Sequence, residues 1–307
     1  MTAFRDALAD YLALRRAMGY RLERAGKLLA QFTAFLEARD AGTVTIDHAV
    51  TWVSLPAPAS PRWLAMRMQA VRGFAAYLST LDSRHEVPPA GLFEDRRHRP
   101  VPYLYSGADI TALMTAAGRL RGAQRQAVYR TLIGLLAVTG LRIGEAIRLD
   151  DGDIDGENGM LLVRQSKSGS SRLVPLHPTT AGAIRSCQLA RDAALPQARS
   201  PALFTTTTGA RLNYPGTCTT FRKLVTLTGL PGRPGARPRI HDLRHSMAIT
   251  TLLDWCRDGQ DVRARIPQLS AMLGHGGPRD TYYYLHAAPE LLALAGNRLS
   301  AYLEEPS

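Results

Sequence analysis

His241-Asp242-Leu243-Arg244-His245, then Leu273-Gly274-His275, then Thr281-Tyr282-Tyr283-Tyr284-Leu285-His286 form the stretch around which the chain is organised. In the first piece a helical spacing of three residues puts His241 and Arg244 on one face, where an imidazole and a guanidinium can reach the same phosphate. In the other two, His275 stands nine residues before the last of three consecutive tyrosines, so an acid/base candidate precedes a phenol able to form a covalent ester. These residue types suit a tyrosine ester of phosphate. The upstream chain then reads as a scaffold that holds a nucleic acid against this segment.

The bulk properties fit that reading. A chain of 307 residues has room for two domains with separate cores. The formal net charge of +12 makes a polyanion the expected partner, with nucleic acid ahead of a membrane surface. The longest strongly apolar run, Thr131 to Leu141, is far short of the ~20 residues that a bilayer span needs. Met1-Thr2-Ala3-Phe4-Arg5-Asp6 lacks an apolar signal core, so a soluble cytoplasmic protein is expected. Cys187, Cys218 and Cys256 are scattered, without the paired spacing of a zinc site or a disulfide framework, and read as buried reduced thiols.

Residues 1–83 show helical periodicity only. Stripes at Phe4, Leu8, Tyr11 and Leu12, and at Leu22, Leu29, Phe32, Phe35 and Leu36, predict two helices. A short third is expected over Asp47 to Val53, and Ser60-Pro61 marks the capped start of a fourth through Leu78. Arg15, Arg16, Arg21, Arg24, Arg62, Arg67 and Arg72 are candidates to line one side of this bundle. Residues 84–105 put proline and charge where periodicity should be and read as a linker. Its Arg96, Arg97 and Arg99 suit a segment that crosses a phosphate backbone.

Helical periodicity resumes at Asp109-Ile110 and runs through Val128 to Val138. A second helix, Leu141 to Leu149, carries Arg142 in its first turn, where the bland reading is a surface pair with Glu145. Asp151-Gly152-Asp153-Ile154-Asp155-Gly156 resembles the start of a calcium loop, but its twelfth position is Leu162 where a bidentate glutamate is needed. It reads better as a turn into strand Met160–Arg164, paired with Ser171–Leu176, with Lys167 on the hairpin tip. Further helices are expected over Pro178–Ala194, Tyr214–Leu227 and Ile266–Leu273, and a final amphipathic one over Pro289–Tyr302.

Thr139-Gly140-Leu141-Arg142-Ile143-Gly144-Glu145, Lys167 five residues before Arg172-Leu173-Val174-Pro175-Leu176, His241-x-x-Arg244-His245, Leu273-Gly274-His275 and Tyr284-Leu285-His286 together resemble the tyrosine recombinase (phage integrase) family. Each motif alone is weak, but five in the family's order make a strong match. The resemblance implies a mainly α fold with a small β-sheet. Residues 1–83 would be a helical, SAM-like DNA core-binding domain, 84–105 a linker, 106–290 an α+β catalytic domain and 291–307 a C-terminal helix or tail. The segment between His245 and Leu273 resembles the transposon-borne branch. On the family's pattern Arg142 and Arg244 would bind the phosphate, Lys167 would be the general acid, His241 and His275 the flanking histidines, and Tyr284 the nucleophile.

The implied reaction cleaves and rejoins double-stranded DNA at specific sites through a 3′-phosphotyrosyl link, in integration, excision or transposition. A dimer on each site, a tetramer at synapsis and sometimes partner recombinases would carry it out. Two guanidiniums can neutralise the non-bridging oxygens, so neither a metal nor ATP is expected as a cofactor. Consecutive helical positions point about 100° apart, so at most one of Tyr282, Tyr283 and Tyr284 faces the phosphate, and the Tyr-x-His spacing favours Tyr284. Two other readings share the same residues. One is a DNA-binding accessory protein of this fold that does not cut, and the other a zinc hydrolase using His241 and His245, which lacks a glutamate base and an evident third ligand.

Overall fold

A computed structural model describes residues 3–55, 59–93, 101–164, 171–196, 200–230, 237–277 and 279–287. The chain divides into two compact units, Met1–Arg99 and Pro100–Ser307.

In the first unit, apolar periodicity gives four helices, the last two with a capping side chain: α1 (Ala3–Ala17), α2 (Glu23–Glu37), α3 (Ile46–Ser54) and α4 (Pro61–Leu81). The Thr45 hydroxyl accepts from the His48 N–H and the Ser60 hydroxyl from the Trp63 N–H, each satisfying a donor that a helix N-terminus leaves free. Leu29, Phe32, Leu36, Val53, Val71 and Phe74 are fully buried and close the bundle core. The stretch after α4 is tied into this unit. His85 Nδ1 accepts from the Val44 N–H at 2.9 Å, and the Glu86 carboxylate from the Ile46 N–H at 2.7 Å. Arg67 leaves the group of candidate surface arginines. It is buried, lies 3.6 Å over the Trp52 ring and donates to the Trp52 carbonyl, because the 60s turn of α4 faces α3 and not solvent.

The second unit runs α5 (Gly107–Ala117), α6 (Ala123–Thr139), α7 (Ile143–Arg148), β1 (Ile154–Asp155), β2 (Met160–Val163), β3 (Arg172–Pro175), α8 (Pro178–Ala194), α9 (Tyr214–Thr228), α10 (Asp242–Arg257), α11 (Val262–Leu273) and α12 (Arg279–Ala287). The strands form one antiparallel sheet in the order β1-β2-β3, with Leu161 opposite Val174 and Val163 opposite Arg172. The fold is therefore mainly helical with a small sheet. The continuous periodicity expected from residue 109 to 138 is broken into α5 and α6 at Gly118–Gly122, where Gly122 takes φ 94°. The aspartates of the calcium-like stretch are used within the protein: Asp153 pairs with Arg164, and Asp155 accepts from Asn158. Tyr103 and Tyr105, which the sequence placed in a linker, are buried in the core of this unit. The Tyr105 N–H donates to Ser246 and its hydroxyl to the Arg239 carbonyl. Their burial follows from two rings with too much apolar surface to leave in water.

α6 ends at Gly140, whose φ of 62° is the left-handed conformation that closes helix C-termini. A Cβ there would meet Leu273 at 2.8 Å and Met247 at 3.1 Å, so α6, α10 and α11 close in on a glycine. Gly140→Ala is expected to lower unfolding free energy by roughly 1–3 kcal/mol, from the left-handed backbone and the crowding together, as measured by urea denaturation.

Candidate active site

The site is assembled on the last carbonyls of α11. A helix leaves its final carbonyls without intrahelical donors and carries partial negative charge at that end. Here three consecutive carbonyls each receive a different arginine: Met272 from Arg172 Nε at 2.9 Å, Leu273 from Arg244 Nη2 at 2.7 Å and Gly274 from Arg142 Nη1 at 3.3 Å. Gly274 ends the helix at φ 65°. Arg244 also donates from Nη1 to the Gly140 carbonyl at 2.7 Å, so one guanidinium joins the ends of two helices. Burial first, and then the Arg142 charge, bring the Arg244 pKa down to about 10, which still leaves it a cation at neutral pH.

Glu145 holds the second layer of this arrangement. Its carboxylate accepts from Arg142 Nη1 at 2.9 Å, from the Arg142 backbone N–H at 3.0 Å and from Arg172 Nη2 at 2.9 Å. The Arg142–Glu145 pair is thus not the surface pair that i, i+3 spacing suggested, since the glutamate side chain is only 2% exposed. Burial alone would raise the Glu145 pKa, but hydrogen bonding and charge from Arg172, and then the Arg142 hydrogen bonds, bring it below the usual carboxylate range. Arg142 keeps 26% of its side chain exposed, which leaves it open to an incoming anion. Arg172 was not singled out in the sequence. A single arginine opening a strand carries no signal of its own, and its partners lie 27 and 100 residues away.

Tyr284 lies inside this frame. Its ring is 3% exposed, nearly parallel to His275 with centroids 6.1 Å apart, and edge-on to His245 at 5.5 Å. The Arg244 charge lies near enough to its hydroxyl to act on the phenol. Burial raises the phenol pKa, and the Arg244 charge only partly opposes this, so the resting side chain is protonated at neutral pH. Tyr282 is 44% exposed, and Tyr283 lies beside His245 at 6.2 Å. The Tyr284 ring is the one of the three stacked on His275.

The histidines are kept neutral. His275 Nδ1 is 2.7 Å from the Thr281 hydroxyl, and burial followed by the Arg244 and Arg142 charges pushes its pKa down to about 4. His245, wedged beside His241 with ring centroids 5.0 Å apart, is pushed down to about 4 by burial and then by His241. His241 is exposed to solvent at one edge, but the atoms packed around the rest of its ring, and then Arg244, lower its pKa. Among the described residues no group of three or more His, Cys, Asp or Glu side chains could hold a metal ion, so the His241/His245 pair has no third ligand there. The structure thus brings Arg142, His241, Arg244, His275 and Tyr284 together. Lys167, Arg96, Arg97 and Arg99 lie outside the described residues.

The phage integrase family model matches residues 105–290, which includes Arg142, Lys167, His241, Arg244, His275 and Tyr284. The chain belongs to the phage integrase family. It is 39% identical over 312 residues to the putative integrase/recombinase y4rB of Sinorhizobium fredii, covering 99% of both chains. It is also 31% identical over 298 residues to the tyrosine recombinase XerC of Mycobacterium tuberculosis, covering 94% of this chain and 95% of the relative. The fold resembles that of the Tn1549 transposon integrase solved in complex with a circular intermediate DNA, with a TM-score of 0.66, 18% identity and coverage of 95% and 99%. It also resembles the XerA recombinase, with a TM-score of 0.52, 20% identity and coverage of 98% and 100%. No described helix is long and apolar enough to cross a membrane.

Two outcomes follow from the electrostatics of this site. His245 and His275 take up protons only near pH 4 in the folded chain but near 6.5 when unfolded, so the unfolded state binds more protons in that window. Stability is therefore expected to be complete above about pH 6.5 and to fall as pH drops towards 4. His245→Asn should flatten the slope of the urea midpoint against pH between 5 and 6.5, where most carboxylates do not titrate. Glu145→Gln leaves two guanidiniums facing an amide in place of a carboxylate. It should lower unfolding free energy by about 1–3 kcal/mol in the same measurement at pH 7.

Proposed function

We propose that this chain is a site-specific recombinase that cleaves and rejoins DNA through a 3′-phosphotyrosyl link at Tyr284. The observation that carries the reading is the ring of Tyr284 stacked on His275 at the helix end whose carbonyls hold Arg142 and Arg244, with the Arg244 charge acting on its phenol. In a DNA-bound state the scissile phosphate takes its non-bridging oxygens to Arg142 and Arg244, whose guanidiniums are already fixed and so need little reorganisation as charge develops. His275, neutral, donates a further hydrogen bond to the same group.

The Tyr284 oxygen forms a bond to phosphorus while the bond from phosphorus to the 5′-oxygen breaks. The phenol is protonated at rest, so its proton leaves during attack, to His241 or a nearby water. The departing 5′-oxygen takes a proton from Lys167, the general acid implied by the family pattern. The reverse sequence with a new 5′-hydroxyl rejoins the strand. The phosphotyrosyl ester conserves the bond energy, so no ATP is consumed, and the two arginines do the work that a metal ion would otherwise do.

In this reading the first unit binds the duplex. A cleft of about 510 Å³ there has a mainly apolar lining edged by Arg15, Arg24, Arg72 and Gln69, with no carboxylate among its lining residues. Such a surface suits the phosphate backbone. Two copies on each site and four at synapsis would exchange strands in the cytoplasm, where the chromosome lies.

The test is covalent trapping. Duplexes selected from DNA flanking the gene are nicked so that the cleaved fragment diffuses away, and products are run on a denaturing gel. The expected result is a protein–DNA band in the wild type, formed in the presence of chelator and absent from Tyr284→Phe. A band that persists in Tyr284→Phe moves the nucleophile to Tyr282 or Tyr283. Specific binding without any band makes the protein an accessory DNA-binding factor.

A further inference from the structure

Arg172 has no part in the chemistry above, yet it lies at the centre of the groups that do. It opens β3 opposite Val163, on the last paired rung before the hairpin tip, and its side chain is only 11% exposed. One planar guanidinium touches three things. Nη2 donates to Glu145 Oε2 at 2.9 Å, with Nη1 3.5 Å from Oε1, so it holds the acid that holds Arg142. Nε donates to the Met272 carbonyl at 2.9 Å, at the end of α11. Its flat face lies against Gly274, where an added Cβ would come within 2.5 Å of Nη1 and 2.7 Å of Cζ.

Gly274 is the residue immediately before His275, and its carbonyl receives Arg142. The spacing between the phosphate-facing arginine and the histidine loop is therefore set by how far one guanidinium reaches. A lysine offers a compact point charge on a flexible stem and lacks the rigid fork that meets a carboxylate and a carbonyl in fixed directions.

We propose that Arg172 is a positioning residue. It fixes Arg142, through Glu145, and His275, through Gly274, at the separation at which both meet one phosphate. It contacts neither the reacting atoms nor DNA. Its effect on rate rests on the recombinase reading, while its effect on the geometry of the His275 loop does not.

The experiment compares the wild type with Arg172→Ala and Arg172→Lys, and uses Arg185→Ala, an exposed arginine on α8, as control. Single-turnover cleavage of pre-bound nicked duplex, DNA affinity by gel shift, and the His275 ring-proton resonance in the DNA-free protein are read on each. Misplacing a catalytic group by about an ångström costs up to roughly 100-fold, so cleavage is expected to slow by about 10- to 100-fold in both Arg172 variants with DNA affinity little changed. Added guanidinium ion should restore part of the rate to Arg172→Ala and none to Arg172→Lys, whose side chain fills the space. The His275 resonance should move in both variants and stay in Arg185→Ala.

Cleavage at the wild-type rate in Arg172→Ala overturns the proposal. So does a loss of rate and affinity together, with no guanidinium rescue and an unmoved His275 resonance, which would make Arg172 a brace of the fold only. If the wild type itself forms no adduct, the recombinase reading fails first, and the His275 resonance still decides whether Arg172 positions that loop.

Discussion

The end of α11 is the constraint on which the second unit depends. Three successive carbonyls, of Met272, Leu273 and Gly274, have no donors of their own helix, and each is met by an arginine from a different part of the chain. A guanidinium suits that position because it carries five donors in a fixed plane and keeps its charge when buried. The groups that satisfy the helix end are thereby joined in one frame, in which Arg142 and Arg172 also share Glu145. Arg244 extends the principle to α6, whose Gly140 carbonyl takes its other nitrogen.

Concentrating three guanidiniums has an electrostatic cost, and the surroundings offset it in two ways. Glu145 supplies one buried carboxylate shared between Arg142 and Arg172, which draws two of the cations together instead of letting them repel. The histidines respond in the other direction. Packed among cations and removed from water, His275 and His245 lose affinity for protons and remain neutral imidazoles at physiological pH. A neutral ring can both donate and accept a hydrogen bond. Among the described residues of the site, the positive charge is thus carried by the arginines.

Glycine does comparable work at the two helix ends. Gly140 and Gly274 take left-handed backbone angles and leave no room for a side chain, one against Leu273 and Met247, the other against the Arg172 guanidinium. The Leu-Gly-His and Thr-Gly-Leu-Arg pieces therefore share a physical logic. In each a helix is stopped sharply so that the next residues, His275 and Arg142, leave at a defined angle.

Much of this was legible in the sequence. The helices of the first unit could be read from their apolar spacing and the fourth also from Ser60 as its cap, because those signals act over three or four residues. The pairing of β2 with β3 came from the same short-range rules. What the sequence could not decide were contacts between distant segments. Local spacing offered a surface pair as the bland reading of Arg142–Glu145, and only the approach of β3 and α11 makes it a buried three-way junction. Arg67 reads as one more surface cation until α3 supplies Trp52 beneath it. Tyr103 and Tyr105 lie in a proline-rich stretch without periodicity, and their burial is known only once the second unit has formed around them. The sequence alone determined which residue types are available for the chemistry and which short-range elements carry them. The tertiary structure alone decided which arginine meets which carbonyl, since partners up to 132 residues apart are joined by packing, which no local pattern encodes.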